Sequence, residues 1–469
     1  MQPTPRRGFP WIAAMAIVGM VPAVIGPAAR LAPFQDRPDA TTTAVSSPEV
    51  TADPPASSPG PGAATSLVPR SASASGAPSA TPEHLVDARG YGAVGDGEAN
   101  DTAAIQAAIG AAAADGGGLV YLEPGTYLVS QLKLAANVAL HGAGTGRTTV
   151  RAIGDDGLPT IVARGVGGVE ISNLTVVGRG VAGGRGDEIL VNLVDAIDAR
   201  VIDVHIDRAQ GIGLQVEGSG SSNGVYEDVR ITNTFIRGNG FHGVAFWFYA
   251  GPHHNRVEGL TTDTSDGPGL MLDAGTTVGA GAEVADNVLT DITVLRAARH
   301  PGGAGVVLAG ASRNSLIRFR IDDTAAHNTV ALTIQQDQTG VPAEHNLIAE
   351  GTISGVGGSA FDLESSSRNT IRDVSVRDIG LIAPARLIQL TSTAVNPGQT
   401  SLPTTDNIFR RLTLHQTTGN YAYGVRLDSL GTPVVRNRFE AIEWGTPRRG
   451  VIERLGSDAP LTGVDANVL

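Results

Sequence analysis

The chemically promising side chains of this chain recur at fixed places in a short repeated segment. The segment reads: a small or apolar residue, an apolar one, any residue, an apolar one, then usually a polar one. Its copies begin at Gly213 (GLQVEG), Gly243 (GVAFWF), Gly269 (GLMLDA), Gly305 (GVVLAG), Ala331 (ALTIQQ), Ala360 (AFDLES), Leu387 (LIQLTS) and Gly424 (GVRLDS). Alternation of this kind is strand periodicity, so places two and four face inward and places three and five face outward. Down the fifth place the outward column reads Glu217, Trp247, Asp273, Ala309, Gln335, Glu364, Thr391 and Asp428. Down the third it reads Gln215, Ala245, Met271, Val307, Thr333, Asp362, Gln389 and Arg426.

Parallel stacking sets equivalent residues about 4.8 Å apart. Two steps then put Glu217 and Asp273 roughly 10 Å apart at the backbone, near the separation of an inverting acid and base pair. Trp247 is expected between them, and with Phe241 it belongs to the run FHGVAFWFY, whose exposed rings can stack on a sugar. His242 and Asp266 lie in adjoining turns as further proton-transfer groups, and Asp263 with Asp266 can ligate a calcium ion. The plainer roles stand beside these: a turn histidine held by hydrogen bonds, aspartates that form turns, a tryptophan packed under a loop. A second place is Asp362 with Glu364, flanked by Gln335 and Gln389, where paired carboxylates can act as acid and base while the amides orient hydroxyls.

What must position these groups is a second repeat: Asn, any residue, apolar, two residues, apolar, one residue, apolar. It begins at Asn255, Asn287, Asn314, Asn346, Asn369, Asn407 and Asn437. A period near thirty residues is the signature of a solenoid, and strands this short bury their apolar face only by stacking on neighbouring coils. A buried Asn at one place in every coil can pass its amide hydrogen bond to the next, a structural ladder rather than a catalytic set. With 61 Gly, few aromatics and 41% apolar residues, the composition suits short strands and turns around a long core. A net charge of −12, with Lys133 the single lysine, argues against a nucleic-acid partner. Zero cysteines exclude disulfides, thiolate metal sites and cysteine nucleophiles.

Arg6 and Arg7 precede an apolar stretch from Phe9 to Ile25, which reads as a secretory signal or membrane anchor over 1–32. PRRGFP resembles a twin-arginine export signal. Residues 33–83 are rich in Pro, Ala, Ser and Thr and read as a disordered spacer. The expected location is therefore secreted or cell-surface, with any membrane contact made only through an uncleaved N-terminal segment. The folded domain is expected over 84–469.

That domain opens with VDARGYGAVGDGEANDTAAIQAAIGAAAADGGGLVYLEPGTYLVS, from Val86 to Ser130. Asn100 or Asp101 can cap a helix whose apolar face runs through Ile105 and Ile109 and which Gly116–Gly118 ends. Such a helix would plug the end of the solenoid. The segment resembles the opening of the pectate lyase superfamily through Gly95-Asp96-Gly97, Asp101-Thr102, Ile105, Gln106, the Gly116–Gly118 run and Pro124-Gly125-Thr126-Tyr127. Asn100 departs from the usual acidic pair. The resemblance implies an all-β, right-handed parallel β-helix with an N-terminal capping helix, and implies polysaccharide as partner.

It does not fix a reaction. Of the polygalacturonase-like motifs only Phe241-His242-Gly243 is echoed. Where alginate-epimerase-like modules carry Asp-Pro-His this sequence reads GIGLQVEG. The basic residues that pectate-lyase-like chemistry needs are represented only by Arg299 and His300. The expectation is an exported protein that binds a polysaccharide along its side and cleaves it, by hydrolysis in preference to β-elimination, with no cofactor unless Ca2+. Its competitor is a non-catalytic surface-binding or adhesive protein.

Overall fold

The structure is a computed structural model. It describes residues 84–456, apart from 155–156, 181–187, 238–240, 276–282, 301–302, 325–329, 393–399 and 430–431. The expected signal (1–32) and spacer (33–83) lie outside the described residues. From His84 onward the chain is a parallel β-helix whose strands fall into an 18-stranded sheet and a 12-stranded sheet. The 12-stranded sheet takes its strands strictly in chain order, from Leu132–Lys133 to Gly450–Gly456, every neighbour parallel. Each coil therefore contributes one strand to that face, and a residue's place in its coil decides its neighbours.

The asparagine repeat holds the register. Asn255 Nδ2 donates to Asn287 Oδ1 at 2.9 Å, and the same bond runs on through Asn314, Asn346, Asn369 and Asn407 to Asn437. Each Oδ1 also accepts the backbone N–H of the preceding Asn, as Asn314 Oδ1 does from Asn287 at 3.1 Å. All seven are buried, at 2% exposure or less. The ladder thus satisfies backbone and amide groups at a corner where strand pairing stops.

A local conformation explains the two-residue gap in the same repeat. Four residues after each Asn the chain enters the left-handed region: Gly259, Asp291, Arg318, Glu350, Asp373, Arg411 and Ala441 have φ between +51° and +69°. The kink breaks the period-two alternation, so that Leu289, Ile292 and Val294 all join the core although their spacing is 3 then 2. Ladder pairing skips the kink, as between Asp291 and Arg318. Strain at non-Gly positions is offset in part by ion pairs to the next coil, Arg318 to Asp291 at 2.6 Å and Arg411 to Asp373 at 2.7 Å. Arg411 and then Arg372 hold the Asp373 carboxyl down to about 2. These pairs are exposed and each contributes little stability.

The helix Thr102–Ala114 buries Ile105, Ala108, Ile109 and Ala112 against the first strands. Its capping differs in detail from expectation. Asp101 makes no cap bond with its side chain and instead accepts the backbone N–H of Val94 at 2.7 Å, while Asn100 Oδ1 accepts from Thr102 N at 3.1 Å.

Removing one rung should cost more than removing one surface pair. Asn314→Ala leaves buried groups on Asn287 without their acceptor and is expected to lower unfolding free energy by about 2 kcal/mol or more. Arg318→Ala is expected to change it by less than about 1 kcal/mol. Denaturant titration of both variants measures the difference.

Candidate functional site

Pairing across the 12-stranded sheet tests both columns directly. One outward column runs Arg164, Val194, Glu217, Tyr249, Asp273, Ala309, Gln335, Glu364, Thr391, Asp428. The other runs Gln215, Trp247, Met271, Val307, Thr333, Asp362, Gln389, Arg426. Every expected neighbour is found except in one strand. There Trp247 pairs with Gln215, and Tyr249 is the residue between Glu217 and Asp273.

The two-residue shift has a local cause. Gly243, expected to open the segment, has φ +61° and follows Phe241–His242, which pairs antiparallel with Ile236–Arg237. The strand proper is Val244–Tyr249, and the place of the small residue falls to Ala245. That place is tight beside Gly213, where a Cβ would lie 2.7 Å from the Ala245 carbonyl oxygen.

Trp247 is consequently not an exposed platform. It is 2% exposed and packs with Ile212, Val244, Met271, Ala304, Val307 and Ala309 in an apolar cluster separate from the main core. Tyr249 meets its ring at 4.7 Å and is half-buried. The side chains of Phe241 and His242 lie outside the described residues.

Asp263 does not join the site either. It belongs to Thr261–Ser265 in the 18-stranded sheet, paired with Arg296 and accepting from Thr264 Oγ1 at 3.0 Å. Asp266 sits in the turn entering Leu270–Asp273, at the other end of that strand from Asp273, and its backbone binds Thr234 and His300. Of the two carboxylates expected to ligate calcium, Asp263 is thus paired with Arg296. Among the described residues no group of three or more His, Asp or Glu is arranged to hold a metal. Arg299, like His300, is fixed through its backbone in this turn.

Asp273 keeps its expected column but is 3% exposed. Its Oδ1 accepts from Gly275 N at 3.0 Å, and its Oδ2 has no hydrogen-bond partner among the described residues. Burial, and then the charge of Asp337, push its carboxyl up to about 7. Glu217, two steps away and half-buried, is also raised by burial, with Arg164 and Asn192 opposing.

Asp337 was not visible in the repeats, because it lies in a turn beyond the strand. It is 1% exposed and accepts from Val341 N at 2.7 Å and Thr339 N at 2.9 Å. Gly310 stands between it and Ala274, where a Cβ would approach the Asp337 Cβ to 2.9 Å and that of Ala274 to 2.7 Å. The bare glycine lets the two acidic turns pack closely.

Asp362 and Glu364 are the second place, and here the expected surroundings are all present. Both are half-buried and outward on the strand Phe361–Glu364, roughly 7 Å apart along the backbone. Gln389 Nε2 donates to Asp362 Oδ2 at 3.4 Å, and Gln335 lies beside Glu364. Burial, and then the Glu364 charge, push Asp362 up to about 7, against the opposing Arg426, Gln389 and Arg386. Arg426 is itself bound to Asp428 at 2.6 Å, and Arg386 to Glu453 at 2.6 Å. A carboxyl that keeps its proton near neutrality beside a second carboxyl is the arrangement of an acid and base pair.

Comparison with known proteins agrees with this architecture. Residues 85–267 match the family described as rhamnogalacturonase A/epimerase, pectate lyase-like. That stretch is similar to the family, and the β-helix runs on beyond it to Gly456. Over 117 residues, 23% of this chain, it is 42% identical to the mannuronan C5-epimerase AlgE6 of Azotobacter vinelandii, but it spans only 13% of that protein's length. The A-module of the A. vinelandii mannuronan C-5 epimerase AlgE4 superposes with a TM-score of 0.57 at 19% identity, covering 80% of this chain and 98% of the module. The Dettilon tailspike protein gives 0.59 at 13% identity, covering 82% and 70%. At these identities the solved structures share the fold alone.

Within the β-helix, Asp273 leaves a measurable trace on stability. Its folded value of about 7 exceeds the ordinary 3.8, so the folded state holds a proton that the unfolded chain releases. Stability is therefore lost as pH rises between about 4 and 7. Asp273→Asn should remove that part of the slope and make the protein more stable than wild type at pH 8, by ~1–4 kcal/mol. Asp337→Asn, which keeps an oxygen to accept from Thr339 and Val341, should move the same loss to lower pH. Denaturant midpoints between pH 4 and 8 check both.

Proposed function

We propose that this protein is exported, binds a polysaccharide along the outward columns of the 12-stranded sheet, and hydrolyses it at Asp362 and Glu364. The observation that carries the reading is the partly open carboxyl pair, one member of which is held near 7 by burial and by its neighbour. Asp362 in its neutral form gives its proton to the glycosidic oxygen as the C–O bond breaks. Glu364 takes a proton from the water whose oxygen bonds to the anomeric carbon. Gln389 and Gln335, on the flanking strands, orient hydroxyls of the sugar. The names of similar proteins, mannuronan epimerases among them, support a polysaccharide as the partner. Export rests on the N-terminal sequence, Arg6 and Arg7 before an apolar stretch.

A second reading places the proton donor at Asp273 with Glu217 as its partner. Asp273 Oδ2, like Asp362 Oδ1, has no partner among the described residues, and the burial of Asp273 at 3% disfavours it, because a sugar must reach the carboxyl. Reducing ends released from a polysaccharide panel separate the two. Asp362→Asn and Glu364→Gln should each lower the rate about 100-fold or more with binding retained. Full activity in both, with loss in Asp273→Asn, moves the chemistry to the second site. A wild type that binds but releases no product supports the adhesive alternative.

A further inference from the structure

The 18-stranded sheet carries a cleft of about 340 Å3, with Thr145, Gly146, Asp203, His205, Asp228 and Arg230 in its wall. Its size falls within the range of ~300–1,000 Å3 usual for small-ligand sites. None of these residues belongs to the outward columns of the 12-stranded sheet.

A relay orients His205 in this cleft. The Thr232 hydroxyl has a single proton and donates it to Asp207 Oδ1 at 2.7 Å, so it accepts from His205 Nε2 at 2.9 Å. Asp207 is fixed in turn by Asn233 Nδ2 at 2.8 Å and Arg208 Nε at 3.1 Å. With the proton on Nε2, the nitrogen of the neutral ring left to accept from a ligand is Nδ1. Burial lowers the proton affinity of the ring, against the charge of Asp207 and with that of Arg230.

Asp203 and Asp228 are the left-handed kink residues of two successive coils, each at φ +52°. Farther along the helix the arginine of the next coil binds such carboxylates, Arg318 on Asp291 and Arg411 on Asp373. Here the next kink residues are Asp228 and Gly259, so neither carboxylate has that partner, and both are exposed. Arg230 pairs with His205 across the strands; it is exposed as well and makes no ion pair among the described residues. Gly146 N donates to Thr175 Oγ1 at 2.9 Å, which holds the turn bearing Thr145 beside the strand neighbour of Thr175, His205.

We propose that this cleft binds a sugar residue of the same polysaccharide and anchors the polymer on a second sheet, an inference that rests on the polysaccharide reading above. A sugar ring presents adjacent hydroxyls that each donate and accept. The cleft answers with acceptors, the exposed Asp203 and Asp228 and His205 Nδ1, beside a guanidinium donor and the Thr145 hydroxyl. An inorganic anion would meet two carboxylates there, and a metal ion would meet Arg230. The cleft takes no part in bond breaking, because Asp362 and Glu364 stand on the other sheet.

Affinity electrophoresis of the full chain tests it, with mannan, galactan, xylan, β-glucan, polymannuronate or polygalacturonate in the gel, alongside the rate of reducing-end release. For the polymer that retards the wild type most, Arg230→Ala and the double change Asp203→Asn with Asp228→Asn should each weaken binding about tenfold. Each should raise KM and leave kcat unchanged. The three residues are exposed and Asn suits a left-handed kink, so the fold is kept. Unchanged retardation in both variants overturns the inference and leaves binding at the 12-stranded sheet intact. A fall in kcat as large as that of Asp362→Asn overturns the anchoring role. No retardation of the wild type by any polymer overturns the polysaccharide reading, and this inference with it.

Discussion

From Asn255 onward, the register of the outward face depends on the amide ladder that runs to Asn437. A parallel solenoid has no turn geometry that fixes one strand against the next, since successive strands are joined by long excursions of variable length. The spacing between successive ladder asparagines ranges from 23 to 38 residues. A one-residue slip would send each inward side chain outward. The ladder prevents it, because each Oδ1 accepts both the backbone N–H and the side-chain amide of the preceding rung. A slipped coil would leave these groups buried and unpaired, at about 1–3 kcal/mol each.

The fixed register makes the outward columns readable from the sequence. Asp273, Gln335, Asp362, Glu364 and Gln389 all stand where alternation within the repeats puts them. The error at Trp247 arose where a Gly-apolar pair that suits the pattern belongs instead to the end of an antiparallel ribbon. In FHGVAFWFY both Gly243 and Ala245 are small, and alternation alone cannot choose between them. The capping helix was legible from its apolar spacing, whereas the role of Asp101 was not, because its carboxylate binds a loop that only the fold brings near. Asp263 and Asp337 show the same limit in opposite directions. Proximity in sequence placed Asp263 near a site it does not reach, and a turn outside every repeat concealed Asp337.

Burial does most of the electrostatic work on this face. Asp273 and Asp362 sit three strands apart on the sheet and have different neighbours, yet desolvation is the largest cause in both. The exposed aspartates of the left-handed kinks behave in the contrary way: Asp291 and Asp373 are drawn down by the arginine of the next coil. The left-handed kinks thus hold ionised carboxylates that tie coils together, whereas the 12-stranded sheet carries two proton-holding ones, Asp273 and Asp362. Because the groove arginines Arg386 and Arg426 are spent on Glu453 and Asp428, the second group remains underneutralised. That is the condition an acid catalyst near neutral pH requires.

The central claim is that Asp362 holds its proton near neutrality beside Glu364. The most direct measurement is a carbon-13 titration of aspartate side-chain carboxyl groups in the protein and in Asp362→Asn. The account predicts a resonance with a midpoint near 7 that is missing from the variant, and a lower midpoint for it in Glu364→Gln, where the neighbouring charge is gone. A resonance assigned to Asp362 that titrates in the ordinary carboxylate range near 4 would contradict it.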